Sequence, residues 1–301
     1  MAEMTERLKQ ALKETSQTID DVIDRLIPRN NELENHLYDA MRYGTLEGGK
    51  RMRPLLVLAS CDMFSVDRAC AVRVAAAVEM VHSYSLIHDD LPALDDAGLR
   101  RGRPSLHCEF DEATAILAGD ALQSLAFEIL SDSDTHGDPH VRIKLIEGLA
   151  RALGPRGMAG GQMIDTLGQR EGTLDVGAIT RMQKMKTGSM IMFACETGAI
   201  LGRASPKHLM AIRNYAHDFG LAFQLTDDLM GANNAVQDLG KEKDENKEEN
   251  KVSFLRHYSS GEARAKAELL IEQAVKHLAV FETTRTEVLV DLARFLVDRK
   301  N

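Results

Sequence analysis

Apolar residues recur at steps of three and four along almost the whole chain, and no segment keeps up the alternation typical of a strand. One stripe comprises Leu8, Leu12, Ile19, Val22 and Leu26, and Pro28 ends it. The same spacing predicts helices over residues 112–131, 141–153, 174–200 and 263–299, and around a stripe made of Leu209, Ile212, Ala216, Phe219 and Phe223. Only seven prolines interrupt the chain. We therefore predict an all-α fold, a single large helical bundle that forms one domain over residues 1–301.

Composition removes several classes of function. The net charge of -9 argues against nonspecific binding of nucleic acid, which needs a surplus of Lys and Arg. The four cysteines, Cys61, Cys70, Cys108 and Cys195, lack C-x-x-C spacing, and we recognise neither a signal peptide nor a long uncharged apolar segment. We expect a cytoplasmic protein without a membrane span. The polar segment Asn233–Lys251 is predicted to be a mobile loop.

Two helices run from an apolar body into paired aspartates. The stretch LIHDDLPALDD follows a long apolar helix and contains Asp89, Asp90, Asp95 and Asp96. The stretch FQLTDDLMG continues the stripe that ends at Phe223, and places Asp227 where an apolar residue would be expected, with Asp228 next to it. Burying unpaired carboxylates costs several kcal/mol, and a shared set of cations would offset that cost.

The type of ligand selects the metal. All the grouped donors are carboxylate oxygens, without nearby Cys or clustered His, and this favours Mg²⁺ over Zn²⁺. A Mg²⁺ ion held by few carboxylates keeps coordination positions for phosphate oxygens. Two segments supply matching cations: GGKRMRP with Lys50, Arg51 and Arg53, and LRRGRP with Arg100, Arg101 and Arg103. One anion site bridged by metal and one made only of cations would suit two phosphorylated substrates.

These motifs, in this order, resemble those of the trans-isoprenyl diphosphate synthase family. The likeness rests on GGKRMRP, DDLPALDD followed by LRRGRP, KTGSM, and FQLTDDLMG with a later GK, and extends from about Asn31 to Arg299. It implies an all-α bundle of the isoprenoid synthase type with a central active-site cavity. It also implies head-to-tail condensation of isopentenyl diphosphate with an allylic diphosphate, dimethylallyl or geranyl, assisted by three Mg²⁺ ions.

The resemblance assigns roles to individual residues. The implied metal ligands are Asp89, Asp95 and Asp227, supported by Asp90, Asp96 and Asp228. The residues implied to hold the allylic diphosphate are Arg100, Lys186 and Lys241, with Lys251 as a helper. The residues implied to hold isopentenyl diphosphate are Gly49, Lys50, Arg53, His82 and Arg101. Thr187 and Gln224 match polar groups near the reacting carbons.

Helical spacing supports part of this assignment independently. His82, Ser85 and Asp89 stand at i, i+3 and i+7, and so lie on one face of one helix. The sequence also departs from the family pattern, because Gly231 occupies the last position of the second aspartate motif, where an aspartate is usual. We expect this change to weaken the organisation of the third Mg²⁺ without abolishing activity.

The resemblance also implies that Tyr84, with the small Ser85 beside it, limits the length of the prenyl product. Tyr84 stands five residues before the first aspartate, where the family places a side chain that helps to form the floor of the channel for the growing chain. A bulky ring there predicts a C15 product, farnesyl diphosphate, with a C20 product as the alternative. The other interpretation is that Tyr84 simply packs in the core.

Two functions of different character remain open. A class I terpene cyclase shares an aspartate-rich site in an all-α bundle, but has no need for GGKRMRP. A noncatalytic subunit of a prenyl synthase would be expected to lose some of the aspartates or arginines. The resemblance, together with many apolar helices and few aromatic residues to fill one core, also predicts a homodimer.

Overall fold

The computed structural model describes residues 4–46, 48–171, 174–237 and 253–298. Within these ranges the protein is an all-α bundle with one two-stranded hairpin. The first four helices are α1 (Glu6–Leu26), α2 (Asn35–Thr45), α3 (Met52–Met63) and α4 (Arg68–Asp89). The hairpin, β1 (Leu99–Arg100) and β2 (Arg103–Pro104), precedes the short α5 (Leu106–Glu109).

The second half of the bundle follows the hairpin. It contains α6 (Glu112–Ser131), α7 (Pro139–Leu153), α8 (Met158–Glu171), α9 (Val176–Gln183), α10 (Ser189–Leu201), α11 (Pro206–Gln237), α12 (Ser260–His277) and α13 (Thr283–Asp298). A π-helical segment, Lys184–Gly188, joins α9 to α10. Two 3-10 turns, Phe254–Arg256 and Leu278–Val280, flank α12.

Side-chain caps explain where several helices begin. Asp67, Asp111 and Asp138 each precede a helix and accept a hydrogen bond from a backbone N–H of its first turn. Ser259 starts α12 with a complete capping box, in which the Glu262 side chain accepts from the Ser259 backbone N–H. The boundaries predicted for α6 and α7 therefore agree closely with the structure.

The core surrounds α3 and α4. The middle of α4 is buried on every side, from Val74 to Val81, because its alanines allow α1, α3 and α6 to approach closely. In addition, α11 packs against α10 and α12 and buries Ile212, Tyr215 and Phe219. Asp89 and Asp90 stand at the C-terminal end of α4, and Asp227 and Asp228 lie in the C-terminal third of α11, so the packing of these helices positions the candidate site.

The helices differ from the predictions in four details. The helix predicted over 174–200 is interrupted by the π-helical segment, and the one predicted over 263–299 by the 3-10 turn Leu278–Val280. The sequence analysis did not predict α8. Residues 233–237, assigned to the polar loop, continue α11, and the rest of that loop lies outside the described residues.

Among the residues that the structure describes, two helices are long and apolar enough to cross a membrane, although no such segment was expected from the sequence. These are α4 and α6, with 61% and 39% of their most apolar stretch buried inside the protein. Because α4 is the central helix of the core, its apolar character has a structural explanation. The lower burial of α6 leaves Ile116 and Leu117 exposed on its surface.

Candidate active site

The loop after α4 brings the first aspartates together. The Asp95 backbone N–H donates to the Asp89 carbonyl at 2.9 Å, and the Ala97 N–H donates to the Asp90 carbonyl at 3.1 Å. Asp96 adopts a left-handed backbone conformation with φ of 48°. The chain thus folds back on the end of the helix, so that Asp95 is held beside Asp89 despite the six-residue separation in sequence.

Partial desolvation raises the pKa of both carboxylates. It raises the pKa of Asp89 to about 6, where Lys186 acts in the opposite direction and Asp95 raises the pKa further. It also raises the pKa of Asp95 above its usual value. Each carboxylate therefore disfavours ionisation of the other, and a bound cation would stabilise the charged form of both.

Lys186 lowers the pKa of both carboxylates more than Arg100 does, and the π-helical segment positions it. Its ammonium lies 2.6 Å from Asp165 on α8. Burial alone would lower the pKa of Lys186, but Asp165, Asp89 and Asp95 together raise it. The sequence analysis missed Asp165, because a single carboxylate inside a helix carries no spacing signal.

The approach of α8 to Lys186 depends on Gly161. A Cβ atom at Gly161 would lie 2.2 Å from the Lys186 backbone nitrogen and 2.6 Å from its Cα. Only glycine permits this contact. The Gly-Gly pair that obscured α8 in the sequence is thus what brings Asp165 and Lys186 together.

The two residues of the second aspartate pair, Asp227 and Asp228, have different surroundings. Asp227 faces a cavity together with Gln224 and Phe223. Asp228 also borders this cavity, but its Oδ2 accepts hydrogen bonds from the Ser253 hydroxyl at 2.8 Å and the Phe254 N–H at 2.7 Å. Asp228 therefore fixes the backbone that leads into α12.

Two adjoining compartments meet between these helices. The larger has a volume of about 760 Å³, and its lining includes Asp95, Asp165, Lys186, Thr187, Gln224 and Asp227. The smaller, of about 310 Å³, is lined by Gly49, Lys50, Arg53, His82, Arg101 and Asp227, among others. Arg53, His82, Phe223 and Asp227 line both compartments. The structure thus brings the predicted Asp95 and Asp227 and the predicted Lys50, Arg53 and Arg101 to the lining of one continuous space.

The glycine loop and the hairpin tip shape the smaller compartment. Gly48 and Gly49 have φ of 97° and 94°, a region that disfavours side chains. The Arg101 guanidinium donates to the Gly48 carbonyl at 2.8 Å, and a Cβ at Gly49 would lie 2.6 Å from its Cζ. The two cationic motifs therefore form one anion-binding surface.

His82 and Arg53 form the boundary between the compartments. The Arg53 Nη1 lies 3.2 Å from the His82 Nε2. Burial, and then the positive charge of Arg53, hold the pKa of His82 well below its usual value. The ring is consequently neutral, and its Nε2 accepts a hydrogen bond from the guanidinium, which fixes the direction of Arg53.

Arg51 does not belong to the anion-binding surface, contrary to the sequence analysis. Its side chain is fully buried and points away from the loop, where Nη1 lies 2.6 Å from Glu79 and Nη2 lies 2.6 Å from Asp20. Nη2 also donates to the Thr45 carbonyl at 2.6 Å. Arg51 is thus a structural cross-link between α1, α4 and the start of α3.

Arg100 and Arg103 also have protein partners. Arg100 Nε lies 3.0 Å from both carboxylate oxygens of the buried Asp90, although 39% of the Arg100 side chain remains exposed. The Arg103 guanidinium lies 4.3 Å from the centre of the Tyr43 ring. Asp90 thereby positions Arg100 at the edge of the site, while Arg103 packs on α2.

Tyr84 and Ser85 lie on α4 below the aspartates. The Tyr84 ring is half-buried and meets the His88 ring edge-on at 5.4 Å. The Ser85 hydroxyl donates to the His82 carbonyl at 2.8 Å. Lys241 and Lys251, which were expected to contact the allylic diphosphate, lie outside the described residues.

The donor set fits a hard divalent cation. Within the described ranges, no three His, Cys, Asp or Glu side chains converge tightly enough to hold a metal by themselves. The carboxylate oxygens of Asp89, Asp95 and Asp227 suit Mg²⁺, because this ion takes one or two protein carboxylates and completes its shell with water and substrate phosphates. The strongly desolvated Asp89 and its neighbour Asp95 are the residues best placed to receive it.

Fold and site together are those of an all-α enzyme with paired acidic and basic substrate compartments, and the sequence matches one family of this kind. Residues 34–288 match the polyprenyl synthetase family, and the chain belongs to it. It is therefore a prenyltransferase, and the prediction of the trans-isoprenyl diphosphate synthase family is confirmed.

Similar proteins include both farnesyl and geranylgeranyl diphosphate synthases. The chain is 40% identical to the farnesyl diphosphate synthase of Escherichia coli strain K12, covering 98% of each protein. It is 34% identical to the geranylgeranyl diphosphate synthase of Cyanophora paradoxa, covering 96% of each. Among solved structures, an FPP/GFPP synthase from Zymomonas mobilis is 44% identical, with a TM-score of 0.88 over 97% of this chain and 99% of the other.

Proposed function

We propose that this protein condenses isopentenyl diphosphate with dimethylallyl and geranyl diphosphate, with farnesyl diphosphate as its main product. The observation that carries the proposal is the pair of compartments joined at Arg53, His82 and Asp227, one rich in carboxylates and the other in cations. Two diphosphates of different chemistry can bind there at once. A terpene cyclase, with one substrate, would leave the cationic compartment without a role.

The larger compartment suits the allylic diphosphate. Asp89, Asp95 and Asp227 would hold Mg²⁺, which supplies positive charge to a pyrophosphate leaving group. Lys186 donates to the same diphosphate, and its tether to Asp165 keeps it charged and in place. Arg100, held by Asp90, binds at the rim. These groups favour cleavage of the C–O bond because they bind the departing pyrophosphate more tightly than the intact ester.

The smaller compartment suits isopentenyl diphosphate without a metal. Lys50, Arg53 and Arg101 provide charge, and the left-handed glycines let the phosphate approach the backbone closely. The neutral His82 can accept from Arg53 and leaves the guanidinium's other N–H groups for the phosphate. The double bond of the second substrate is then directed towards the larger compartment.

The remaining polar groups lie near the reacting carbons. Thr187 and Gln224 line the larger compartment, and their oxygen dipoles can stabilise an allylic cation. The new C–C bond forms as the double bond of isopentenyl diphosphate attacks that cation. A proton is then lost from the adjacent carbon, and the departing pyrophosphate accepts it, so no side-chain base is required.

Radiolabelled isopentenyl diphosphate tests the reaction directly. The protein is incubated with Mg²⁺, the labelled substrate, and dimethylallyl or geranyl diphosphate. Incorporation of label into a longer diphosphate supports the synthase. A cyclic hydrocarbon formed from one substrate would identify a terpene cyclase, and the absence of both products from the pure protein would identify a noncatalytic subunit.

Two variants test the division between the compartments. Asp89→Ala should lower kcat by at least 100-fold with little change in the KM for isopentenyl diphosphate, because the carboxylate acts on the leaving group. Arg53→Ala should mainly raise that KM. Asp134→Ala and Arg264→Ala alter exposed residues far along the sequence and serve as matched controls. Normal turnover of Asp89→Ala at low Mg²⁺ would contradict the metal assignment.

We further propose that Tyr84 limits the product to C15, with C20 as the alternative. Five residues of α-helix span roughly 7–8 Å, a suitable depth below Asp89 for the floor of a channel. Tyr84→Ala should then yield products of C20 or longer, whereas Tyr84→Phe, which keeps the ring, should retain C15. Unchanged products from Tyr84→Ala, or a C20 product from the unmodified protein, would exclude this role.

We also propose that the protein is a homodimer. The exposed Ile116 and Leu117 on the apolar helix α6 are suited to burial against a second copy. Sedimentation at micromolar concentration should show a species of twice the 33.3 kDa chain mass. Leu117→Glu should shift it towards the monomer, and a monomer in the unmodified protein would reject the proposal.

A further inference from the structure

Besides the aspartates and Lys186, the larger substrate compartment has a polar wall formed by α8 and the end of α9. We call this the α8–α9 wall, and its members are Thr166, Gln169, Arg170 and Gln183. Thr166, Gln169 and Arg170 stand at i, i+3 and i+4, so they share one face of α8. The wall therefore presents a donor-rich surface to whatever occupies the compartment.

The packing of α8 against the π-helical segment fixes the position of this wall. A Cβ at Gly160 would lie 2.6 Å from the Met185 Cε, one residue before the close contact between Gly161 and the Lys186 backbone. The ion pair between Asp165 and Lys186 adds a second attachment. Because Arg170 follows Asp165 by five residues, it lies roughly 7–8 Å farther along the helix axis.

Gln183 is a buried polar residue without a protein partner. Only 7% of it is exposed, and its side-chain amide forms no hydrogen bond within the ranges that the structure describes. Buried polar groups are nearly always hydrogen-bonded, since leaving one unsatisfied costs free energy. Gln183 lines the compartment, so a ligand in that space is the partner that would satisfy its amide.

Arg170 is the cation of the α8–α9 wall. It is exposed, and it forms no ion pair or hydrogen bond with any described residue. The other cationic side chains in the described lining have partners, because Lys186 lies 2.6 Å from Asp165 and Arg53 lies 3.2 Å from His82. Arg170 therefore keeps its whole guanidinium for a ligand.

A diphosphate matches both side chains. A guanidinium fork binds two phosphate oxygens at once, and an amide N–H adds a hydrogen bond to a charged acceptor. We propose that Gln183 and Arg170 bind the diphosphate of the allylic substrate from the α8–α9 side, and so set the affinity of the larger compartment for it. That the diphosphate is allylic rests on the proposed function, whereas the anion site rests on the two side chains.

The two Michaelis constants measure this role. Gln183→Met keeps the size of the side chain without its amide, and Arg170→Ala removes the fork. Each should raise the KM for geranyl diphosphate about tenfold and leave that for isopentenyl diphosphate nearly constant. Gln183→Glu should raise it further, because a carboxylate then faces the phosphate. Arg181→Ala and Gln273→Ala alter exposed residues that line neither compartment, and serve as matched controls.

Titration calorimetry separates binding from turnover. The probe is geranyl S-thiolodiphosphate at constant Mg²⁺, because its C–S bond resists ionisation and the ligand stays intact. Its Kd should rise about tenfold in Gln183→Met and in Arg170→Ala, and about a hundredfold in the double variant. Arg170→Lys keeps the charge but not the fork, and should recover only part of the affinity.

Two results would overturn the proposal. One is an unchanged Kd for the analogue in both Gln183→Met and Arg170→Ala. The other is a loss of stability in urea accompanied by an equal rise of both Michaelis constants, since a purely structural role would not distinguish between the substrates.

This proposal and the proposed function can fail separately. If labelled isopentenyl diphosphate is not incorporated but the analogue binds in a manner that depends on Gln183 and Arg170, the anion site stands and the proposed function falls. If the label is incorporated and both variants bind the analogue as the unmodified protein does, the proposed function stands and the role of the α8–α9 wall falls.

Discussion

Replacement of Arg51 by methionine should destabilise the protein by about 3–5 kcal/mol, the usual cost of leaving one member of a buried ion pair without its partner. Glu79 determines this magnitude, because only 2% of its side chain is exposed and water cannot replace the lost guanidinium. Asp20 contributes less, since 34% of its side chain is exposed and solvent screens its charge. The Thr45 carbonyl loses one donor, at about 1 kcal/mol.

A double-mutant cycle measures the interaction. Urea denaturation would be followed for the unmodified protein, Arg51→Met, Glu79→Met, and the double variant. Each single variant leaves one member of the Arg51–Glu79 pair buried without its partner, whereas the double variant removes both charges. We therefore expect the double variant to recover at least half of the stability lost in Arg51→Met.

Arg51→Met should also change the KM for one substrate. Arg51 lies between Lys50 and Arg53 in sequence, so a change in the start of α3 should raise the KM for isopentenyl diphosphate and leave that for geranyl diphosphate nearly constant. A loss below 1 kcal/mol in Arg51→Met, or a double variant less stable than both single variants, would refute the reasoning.

Three further outcomes are expected. Gly161→Ala should lower turnover at least tenfold and reduce stability, because its Cβ would collide with the Lys186 backbone, whereas Gly261→Ala, with no neighbour within 4 Å, should have no such effect. Asp165→Asn should lower the pKa of Lys186 and move the alkaline limb of the kcat profile to lower pH. The folded state holds the pKa of His82 below its unfolded value of about 6.5, so stability is lost as pH falls through that value. His82→Gln should reduce the loss of urea stability between pH 7.5 and pH 5.5.

The sequence predicted the helical class and most of the site because both depend on local pattern. An apolar stripe marks α1, aspartate caps mark the starts of α6 and α7, and the aspartate pairs stand out against apolar helices. The helix α8 was missed, since three interior glycines, Gly160, Gly161 and Gly168, lower helix propensity by about 1 kcal/mol each. Tertiary packing offsets that cost, and no local signal reports such packing.

The direction of individual side chains was the second feature that could not be predicted from the sequence. GGKRMRP shows three cations in four positions, but the sequence does not say which one turns inward. That choice depends on Glu79, 28 residues from Arg51 in sequence, and on Asp20, 31 residues away. Asp165 was missed for a related reason, because its importance lies in its contact with Lys186 across two helices.

The π-helical segment before α10 has a consequence for how this chain tolerates insertion and deletion. A π-helical turn holds one residue more than the α-helix around it, and an α-helix advances about 100° per residue. Deletion of Met185 should allow a regular helix from α9 through α10, with better hydrogen bonding. The deletion would leave the flanking helices in register, because the π-helical turn already accommodates the extra residue, but it would place Lys186 two positions after Gln183. Two positions correspond to about 200° on a regular α-helix, so Lys186 and Gln183 could no longer face one compartment together. At this point, therefore, a more regular and more stable helix and a working catalytic centre are mutually exclusive.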